Sequence, residues 1–456
     1  MISPRKRIWG WYFFDWASQP YNTLLLTFVF GPYFTEIAMG YYFGQGLDPD
    51  AAAAAAQSFW GWGIAGSSVV IAILAPILGA MADSTGRRMV WIWIFSALYV
   101  LGAWALWWVA PGGDIGVLYW AVICFGLGFI GMEFATIFTN ALMPSLSDHE
   151  DLGAISGSGF AFGYLGGLAA LVVMLGLFVP NPENGLTYLG LNPLLGEDAE
   201  TQIGTRVVGP FTAIWYMVFM VPFFLWVKEP KTQAAGISVK KAVGQVKEML
   251  ASLRYRNSLV AYLGSSLLYR DALNALYAFG GVYAKGVLGW SIGQIGIFGL
   301  VGAASAVFAS WLGGKADRRY GPKPVIALSI VVLIAICLLI VGMTREQIWG
   351  FALDPAGSAS DQILFVCGAL IGAAGGSLQA SSRTMMVRHT TPERATEAFG
   401  LFALSGKVSS FVAPVLIALV TAISGSQRIG ISPLIALFLI GLILLIWVNP
   451  KGEQSR

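Results

Sequence analysis

Ionisable side chains inside long apolar stretches are the residues of this sequence best suited to chemistry. A charge at the centre of a membrane-spanning helix costs about 2.5–3.5 kcal/mol on insertion scales, so each one needs a partner or water. Such residues typically bind solutes or ions, or relay protons. Six of them fall well inside apolar stretches: Asp15, Glu133, Arg270, Asp271, Arg383 and Lys407.

Polar residues recur near these charges at the spacing that places side chains on one face of a helix. The stripes are Asp15, Gln19 and Asn22; Glu133, Thr136 and Asn140; Ser266, Arg270, Asn274 and Tyr277; and Gln379 with Arg383. Each stripe would line a polar path across a membrane. We therefore predict a substrate-binding set of Asp15, Gln19, Tyr21, Asn22, Glu133, Asn140, Tyr164, Arg270, Asp271, Asn274, Tyr277, Gln379, Arg383 and Lys407.

The same charges admit a second interpretation, in which some of them form ion pairs that hold one conformation closed. Asp15 follows the basic N-terminus closely and is also a candidate for the mouth of a cavity. Arg270 and Asp271 are adjacent, so they point about 100° apart on a helix and only one can face a cavity squarely. Pro20 frees a carbonyl near Trp16, which then either binds a ligand or accompanies a simple kink.

The residue pattern gives no support to enzymatic or cofactor chemistry. The two histidines lie 240 positions apart and the three cysteines fall in apolar stretches, so neither a metal cluster nor a disulfide framework is expected. No Gly-x4-Gly-Lys-Ser/Thr segment, the phosphate-binding loop of many ATPases, occurs in the sequence. We predict a protein that is not an enzyme, with no catalytic residues, no metal and no cofactor.

The composition indicates how these charges are positioned. Hydrophobic residues make up 57% of the 456 residues and charged residues 11%, against about 45–50% and about 25% in soluble domains. Apolar stretches of about 20 residues, each able to cross the ~30 Å hydrocarbon layer as a helix, recur along the chain. We predict an all-α polytopic membrane protein with twelve spans: 9–33, 58–82, 89–110, 116–141, 154–179, 209–227, 258–283, 291–313, 323–343, 362–386, 397–423 and 431–449.

The distribution of basic residues predicts the orientation of these spans. Twenty of the 27 Lys and Arg residues fall on one side of the predicted membrane and four on the other. Lysine and arginine are retained on the cytoplasmic side, so both termini are expected there, in a cell inner (plasma) membrane. The formal net charge of +3 does not favour a nucleic-acid partner.

The chain also repeats itself weakly. Spans 4–5 and 10–11 align at an offset of 243 residues, which matches Gly157 with Gly400 and Gly163 with Gly406. The longest predicted cytoplasmic link divides the spans six and six. We therefore predict an N-terminal six-helix half at 1–228, a cytoplasmic connector at 229–257 and a C-terminal six-helix half at 258–456. Repeated halves are the layout of a secondary transporter.

The turns after spans 2 and 8 resemble the signature of the major facilitator superfamily, Gly-x3-Asp-x2-Gly-Arg-Lys/Arg. Residues 79–88 fit it fully, whereas residues 313–321 carry one extra residue and lack the following arginine. A positive-inside loop would explain the arginines but not the recurrence of an acid at matching positions. The resemblance implies that spans 1, 4, 7 and 10 line a central cavity. It also implies a gate made of Asp83, Gly86, Arg87, Arg88, Asp317 and Arg318.

Within that superfamily the chain resembles the Atg22-like group, the bacterial relatives of the fungal autophagy-related vacuolar amino-acid effluxer. The resemblance rests on residues 14–21, 140–144 and 156–167, and on Ser382-Arg383, Phe399-Gly400 and Ser405-Gly406-Lys407. It covers essentially the whole chain.

The most direct functional prediction is a secondary active transporter working by alternating access. Three acids and three bases in the spans suit a small polar or zwitterionic solute, with an amino acid as the first choice, efflux as one direction and protons as one coupling ion. The expected partners are this solute and the lipid bilayer, with the chain acting as a monomer. The alternative is a non-transporting membrane receptor or a lipid-handling protein of the same fold.

Overall fold

A computed structural model describes residues 2–148, 150–181, 184–196, 201–229, 239–290, 292–354, 357–408 and 411–452. Residues 230–238 of the predicted connector lie outside the described residues. The helices are α1 Pro4–Pro20, α2 Phe30–Gly44, α3 Pro49–Thr85, α4 Arg88–Ala105, α5 Ile115–Asn140, α6 Leu152–Leu177, α7 Ile203–Arg206, α8 Val208–Phe219, α9 Val221–Trp226, α10 Val239–Ser252, α11 Asn257–Leu288, α12 Ile292–Tyr320, α13 Pro322–Gly342, α14 Ala359–Arg388, α15 Ala395–Val408, α16 Val412–Ser424, α17 Gln427–Gly430 and α18 Pro433–Leu444.

Other regular structure in the described residues is short. A π-helical segment, Tyr21–Phe28, joins α1 to α2. Single 3-10 turns occupy Leu106–Trp108, Met143–Ser145, Leu253–Tyr255, Pro392–Arg394 and Leu445–Trp447. Strands β1 Gln347–Ile348 and β2 Phe351–Ala352 form an antiparallel hairpin in which Gln347 pairs with Ala352. The predicted all-α polytopic fold class is thereby confirmed.

Eleven stretches of the described chain are long and apolar enough to cross a membrane. They are Pro4–Gly44, Pro49–Thr85, Arg88–Trp108, Ile115–Ser145, Leu152–Leu177, Ile203–Trp226, Gln294–Tyr320, Pro322–Gly342, Ala359–Arg388, Pro392–Ser424 and Gln427–Trp447. The predicted seventh span is α11, which is also long enough to cross but more polar, with Arg270 and Asp271 in it. Many large apolar side chains on these helices are exposed, among them Trp62, Phe308 and Leu328, as lipid-facing helices require.

The first span changes its helical geometry at Pro20. Proline has no backbone N–H, so the carbonyl four residues earlier, on Trp16, loses its helical donor. The indole of Trp215 donates its Nε1–H to that carbonyl over 3.3 Å. Gly166 lies beside the same atom, where an added Cβ would come within 2.7 Å of it. The carbonyl that the sequence predicts to be freed thus accepts a hydrogen bond inside the protein.

The helices cluster into two compact units. The first comprises Met1–Leu74, Thr85–Thr139 and Phe162–Ala234. Its centre is an aromatic cluster in which the rings of Tyr21 and Tyr99 lie 4.9 Å apart and those of Tyr99 and Tyr216 lie 4.0 Å apart. The hydroxyl of Tyr216 makes a 2.8 Å hydrogen bond with that of Ser96. Such pairs satisfy buried hydroxyl groups without water.

The second unit comprises Ala75–Ser84, Asn140–Ala161 and Ala235–Arg456. Helix α14 packs along α12 and α13, and α11 packs along α18. Near the start of α14, the carboxylate of Asp361 forms an ion pair with Arg345 at 2.9 Å and accepts the indole N–H of Trp290 at 2.6 Å. The unit therefore includes two segments that precede the predicted connector, at the end of α3 and around the start of α6.

Close helix packing in the first unit gives a stability prediction. Gly102 on α4 lies so near α5 that an added Cβ would be 2.6 Å from the Cα of Gly128 and 2.7 Å from the carbonyl of Cys124. We expect Gly102→Ala to lower the free energy of unfolding by about 1–3 kcal/mol, because backbone cannot move aside as a side chain can. The matched control is Gly66→Ala on α3, since that Cβ would meet nothing within 4 Å. Thermal unfolding in detergent measures both, and equal melting temperatures would contradict the prediction.

Candidate functional site

The predicted gate acid Asp83 holds the start of helix α15. Its Oδ1 accepts the backbone N–H of Thr396 at 3.2 Å, and its Oδ2 accepts that of Glu397 at 2.8 Å. The first N–H groups of a helix lack partners within the helix, and a negative charge is favourable there. Gly79, one turn earlier on α3, allows this approach, because an added Cβ would be 2.7 Å from the Thr396 carbonyl. Asp83 therefore joins two segments more than 300 residues apart in the sequence.

The rest of this turn is fixed within the first unit. Gly86 has φ +59°, in the left-handed region that glycine adopts without strain. The backbone N–H groups of Arg88 and Met89, which begin α4, donate to the carboxylate oxygens of Glu229 at 3.0 and 3.1 Å. Arg87 is exposed. The sequence pattern did not identify Glu229, although an acid two residues after the sixth predicted span was an available signal.

Arg383 on α14 is buried, with 3% of its surface exposed. Its Nε donates to the hydroxyl of Ser156 at 2.9 Å, its Nη2 to the carbonyl of Ser156 at 2.8 Å, and its Nη1 to Oδ1 of Asn140 at 3.1 Å. The guanidinium carbon lies 4.3 Å from the ring centre of Phe160. The planar fork of arginine suits this arrangement, because several donors are held in fixed directions.

The contact between Asn140 and Arg383 joins equivalent positions of the predicted repeat. The two residues are separated by 243 positions, which is the offset that aligns spans 4–5 with spans 10–11. Equivalent residues of two repeats related by a two-fold axis meet only near that axis. Two arginines facing each other there would repel, whereas the neutral amide oxygen of Asn140 accepts a hydrogen bond from Arg383.

Helices α6 and α12 meet through glycine in the second unit. An added Cβ on Gly157 would lie 2.5 Å from the Cα of Gly314, so the two backbones are in direct contact. At the end of this contact, Arg318 forms a 2.8 Å ion pair with Asp151, and both side chains are largely exposed. Exposed ion pairs contribute little free energy. The glycine contact is therefore the tighter part of this interface.

The second predicted gate acid, Asp317, differs from Asp83. It is fully buried, and among the described residues neither carboxylate oxygen has a hydrogen-bond partner. It faces Gly153 at the start of α6, where an added Cβ would be 2.6 Å from the Asp317 Cγ. Asp317 thus occupies the position expected of a gate residue but does not hold a helix start.

Arg270 and Asp271 contact two successive helices. The Oδ2 of Asp271 accepts the backbone N–H of Ala413 at 2.8 Å, in the first turn of α16. The Nη1 of Arg270 donates to the carbonyl of Phe402 on α15 at 3.0 Å, with the guanidinium carbon 4.1 Å from the Phe402 ring centre. Pro414 has no N–H and so favours a helix that begins just before it. This adjacent pair therefore ties α11 to both helices of one predicted span.

The remaining members of the predicted substrate set have varied surroundings. The hydroxyl of Tyr21 donates to the carbonyl of Phe125 at 2.6 Å inside the first unit, and Tyr21 is fully buried. Asn274 and Tyr277 lie exposed on α11. The partly buried members are Asp15, Gln19, Asn22, Glu133, Tyr164, Gln379 and Lys407. The structure therefore brings Asn140 to Arg383 but directs Tyr21 into a packed interior.

Two partners of Arg383, Ser156 and Phe160, were not predicted as site residues. Both lie in the glycine-rich stretch 156–167, whose glycines indicate helix packing. A hydroxyl and an aromatic ring among those glycines, at i and i+4 on one helix face, were the available signal.

Comparisons with known proteins relate this chain to one family and to membrane transporters. The model of the family described as "Vacuole effluxer Atg22 like" matches residues 3–455. The chain is 24% identical over 453 residues to an uncharacterized MFS-type transporter, YxiO, of Bacillus subtilis, covering 98% of this chain and 95% of that protein. It is 23% identical over 285 residues to Autophagy-related protein 22 of Cryptococcus neoformans, covering 60% of this chain and 47% of the fungal protein. The chain therefore spans about half the length of this fungal relative.

A solved structure gives the fold. The fucose:proton symporter FucP of Escherichia coli is 15% identical to this chain, with a TM-score of 0.71, and the alignment covers 97% of this chain and 98% of FucP. At this identity the likeness shows a shared fold alone, that of the major facilitator superfamily. Together with the family match, it confirms the resemblance predicted from the turn after span 2.

Replacing Asp83 tests its hold on α15. Asn has one oxygen acceptor and no charge, so Asp83→Asn leaves one N–H of α15 without its acceptor and weakens the contact by about 1–3 kcal/mol. We expect faster maleimide labelling of a cysteine placed at Ala398, a buried position on α15, after the native cysteines are replaced by alanine. Glu346→Gln, an exposed acid of the same unit, is the control. Equal labelling rates in the two variants would contradict the assignment.

Replacing Arg383 distinguishes a structural contact from a solute contact. Lysine keeps the charge but cannot donate to both Ser156 and Asn140 in a fixed fork. We expect Arg383→Lys to lower the melting temperature of the ligand-free protein. We also expect Asn140→Ala to cost less in the Arg383→Lys background than in the wild type, because the pair is coupled. An unchanged ligand-free melting temperature would show that the Arg383 contacts contribute no stability, and additive effects would show that Arg383 and Asn140 are not coupled.

Proposed function

This chain belongs to the family described as "Vacuole effluxer Atg22 like", whose members are transporters of the major facilitator superfamily and not enzymes. From that premise we propose that it is a secondary active transporter. Its solute in this proposal is small and polar or zwitterionic. Transport proceeds by alternating access, in which two halves of the chain open a common path to one side of the membrane and then to the other.

One observation carries the proposal: Arg383 and Asp83 join segments before the predicted connector to segments after it. Arg383 binds Asn140 and Ser156, and Asp83 binds the start of α15. These contacts are polar, and beside them α6 and α12 meet through Gly157 and Gly314. Polar and glycine contacts break and re-form without unpacking a large apolar surface. They are therefore suited to a gate, which in this proposal is closed on the cytoplasmic side.

The solute class is inferred from the charges in the predicted substrate set. The acids Asp15 and Glu133 would receive an ammonium group, and Lys407, with Arg383 after the gate opens, would receive a carboxylate. This pairing fits an amino acid, whose two charges lie on neighbouring carbons. The family description as an effluxer supports export as the direction.

The proposal includes a topology and a partner set. The halves 1–228 and 258–456 are joined by the cytoplasmic connector 229–257, with both termini in the cytoplasm and the chain in the plasma membrane. The partners are the solute, protons and lipid, and the working unit is a monomer. The basic residues on one predicted side support this orientation.

Purified protein in sealed liposomes tests transport directly. Each radiolabelled amino acid is added outside liposomes that contain the same amino acid unlabelled. Exchange of the outer for the inner amino acid then shows that the protein carries it across the membrane, with no energy source needed. We expect uptake of at least one amino acid above that of empty liposomes. Thermal shift with the same amino acids provides the control, because a ligand at 100 Kd stabilises by roughly 2.7 kcal/mol. A thermal shift without exchange would favour the receptor or lipid-handling alternative.

Two carboxylates are predicted to couple transport to protons. We expect Glu133→Gln or Asp271→Asn to abolish accumulation driven by a pH gradient while exchange continues, because an amide cannot release a proton. Accumulation is measured in liposomes with an imposed pH gradient, and exposed Glu346→Gln is again the control. If both variants accumulate the solute at the wild-type rate, the coupling lies elsewhere or the protein is a uniporter or exchanger.

A further inference from the structure

We propose that Asp317 is a proton-binding site of the gate: its carboxyl group takes up a proton when α6 closes onto α12 and releases it when they separate. This inference rests on the proposed gate. It concerns a residue outside the predicted substrate set. It also assigns different chemistry to Asp83 and Asp317, the acids of the two matching turns.

The first support is burial without a donor. Asp317 is 0% exposed, and within the described part of the chain both of its oxygens lack a hydrogen-bond partner. An ionised carboxylate taken out of water without compensating donors is very costly, and the usual response is to become neutral. A bound proton removes that cost while keeping the side chain in place.

The second support is the comparison with Asp83 at the matching turn. The 243-residue offset equates Thr396, whose N–H Asp83 accepts, with Gly153, which Asp317 faces. Asp83 receives two backbone N–H groups and is only half-buried. Asp317 lies against the corresponding helix start but receives none. The two matching turns therefore differ: the surroundings of Asp83 stabilise a charged carboxylate, and those of Asp317 suit a neutral carboxyl group.

Hydroxyl groups near Asp317 do not replace the missing donors. Ser381 and Thr384 on α14 place hydroxyl groups close enough to interact with the Asp317 carboxyl group, but neither has hydrogen-bond geometry to its oxygens. Thr384 donates to the carbonyl of Ala380 at 3.3 Å instead. The hydroxyl of Ser381 is buried and makes no hydrogen bond in the described structure.

The charged groups around Asp317 form no ion pair with it in the described part of the chain. Arg388 on α14 interacts electrostatically with Asp317. Its Nη1, however, donates to the carbonyl of Pro450 at 2.8 Å, and the described residues hold no ion pair to Asp317 within 4.0 Å. The other charged residues on α12 and the elements packed against it are Lys315, Arg318 and Arg319 on α12; Asp148, Glu150 and Asp151 before α6; Lys323 on α13; Asp361 and Arg383 on α14; and Arg270, Asp271 and Lys285 on α11.

Several of these neighbours have partners of their own. Arg318 pairs with Asp151, and Lys315 lies 3.4 Å from the ring centre of Trp311. Lys323 donates to the carbonyls of Ile446 and Val448. The proton is consequently the counter-charge that remains for Asp317 in this conformation.

The sign of the pH effect follows from this assignment. In the closed form Asp317 is dry and protonated, whereas in the open form water reaches it and it ionises. Closing therefore takes up one proton, so acidification favours the closed form. For one linked proton, the ratio of closed to open molecules changes by up to about tenfold per pH unit.

Two measurements on the full chain test this. Infrared difference spectroscopy between acidic and alkaline samples reports protonated carboxyl groups through their C=O stretching band. Spin labels at Glu150 and Tyr320, both exposed, report the separation of the α6 start from the α12 end, in a background where Cys124, Cys337 and Cys367 are alanine. The variants are Asp317→Asn and Asp317→Ala, with Asp83→Asn as the matched control.

We expect a carboxyl band that disappears in both Asp317 variants and persists in Asp83→Asn. We also expect the short-distance population of the wild type to grow as the pH falls, to be independent of pH in Asp317→Asn, and to remain pH-dependent in Asp83→Asn. A carboxyl band unchanged by the Asp317 substitutions overturns the proposal whether or not the gate moves. If the carboxyl band is lost only in the Asp317 variants but the distance between the spin labels never changes with pH, the proton site is supported and the gate is refuted. A wild-type pH dependence of distances that survives in Asp317→Asn also overturns the proposal.

Discussion

A carboxylate placed at the start of a helix is the interaction on which this structure depends. Glu229 receives the first N–H groups of α4, Asp83 those of α15, and Asp271 one of α16. The first N–H groups of a helix have no partner within the helix, so an acid from elsewhere in the chain serves as their acceptor. Each contact fixes both the end of one helix and the position of a second segment. These three charges thereby orient the helices that they contact.

Helix α6 illustrates how glycine complements these polar contacts. Its early part, with Gly153 and Gly157, lies against α12, and its later part, with Gly163 and Gly166, lies against α1. In each place the nearest atoms include backbone. The absence of side chains on both faces allows one helix to approach two neighbours at backbone distance, which any larger residue would prevent.

The sequence predicted the helices better than their contacts. Hydropathy located the spans, and the turn at 79–88 pointed to Asp83, which the structure places at the start of α15. Periodicity placed Arg383 and Asn140 on polar faces, but it could not identify them as partners, because the face of a helix does not specify which helix meets it. Likewise, Pro20 predicted a free carbonyl but not that Trp215, almost 200 residues later, would donate to it. Non-local pairs of this kind depend on tertiary packing.

The contact between Gly157 and Gly314 also has consequences for the enthalpy and entropy of the gating step proposed above. Glycine has no side-chain rotamers to immobilise, so the backbones meet without the conformational entropy that a leucine or methionine interface would lose. They also bury little apolar surface, so closure at this point changes the heat capacity only slightly. In the proposed gate, the balance between closed and open forms at this interface would therefore depend only weakly on temperature.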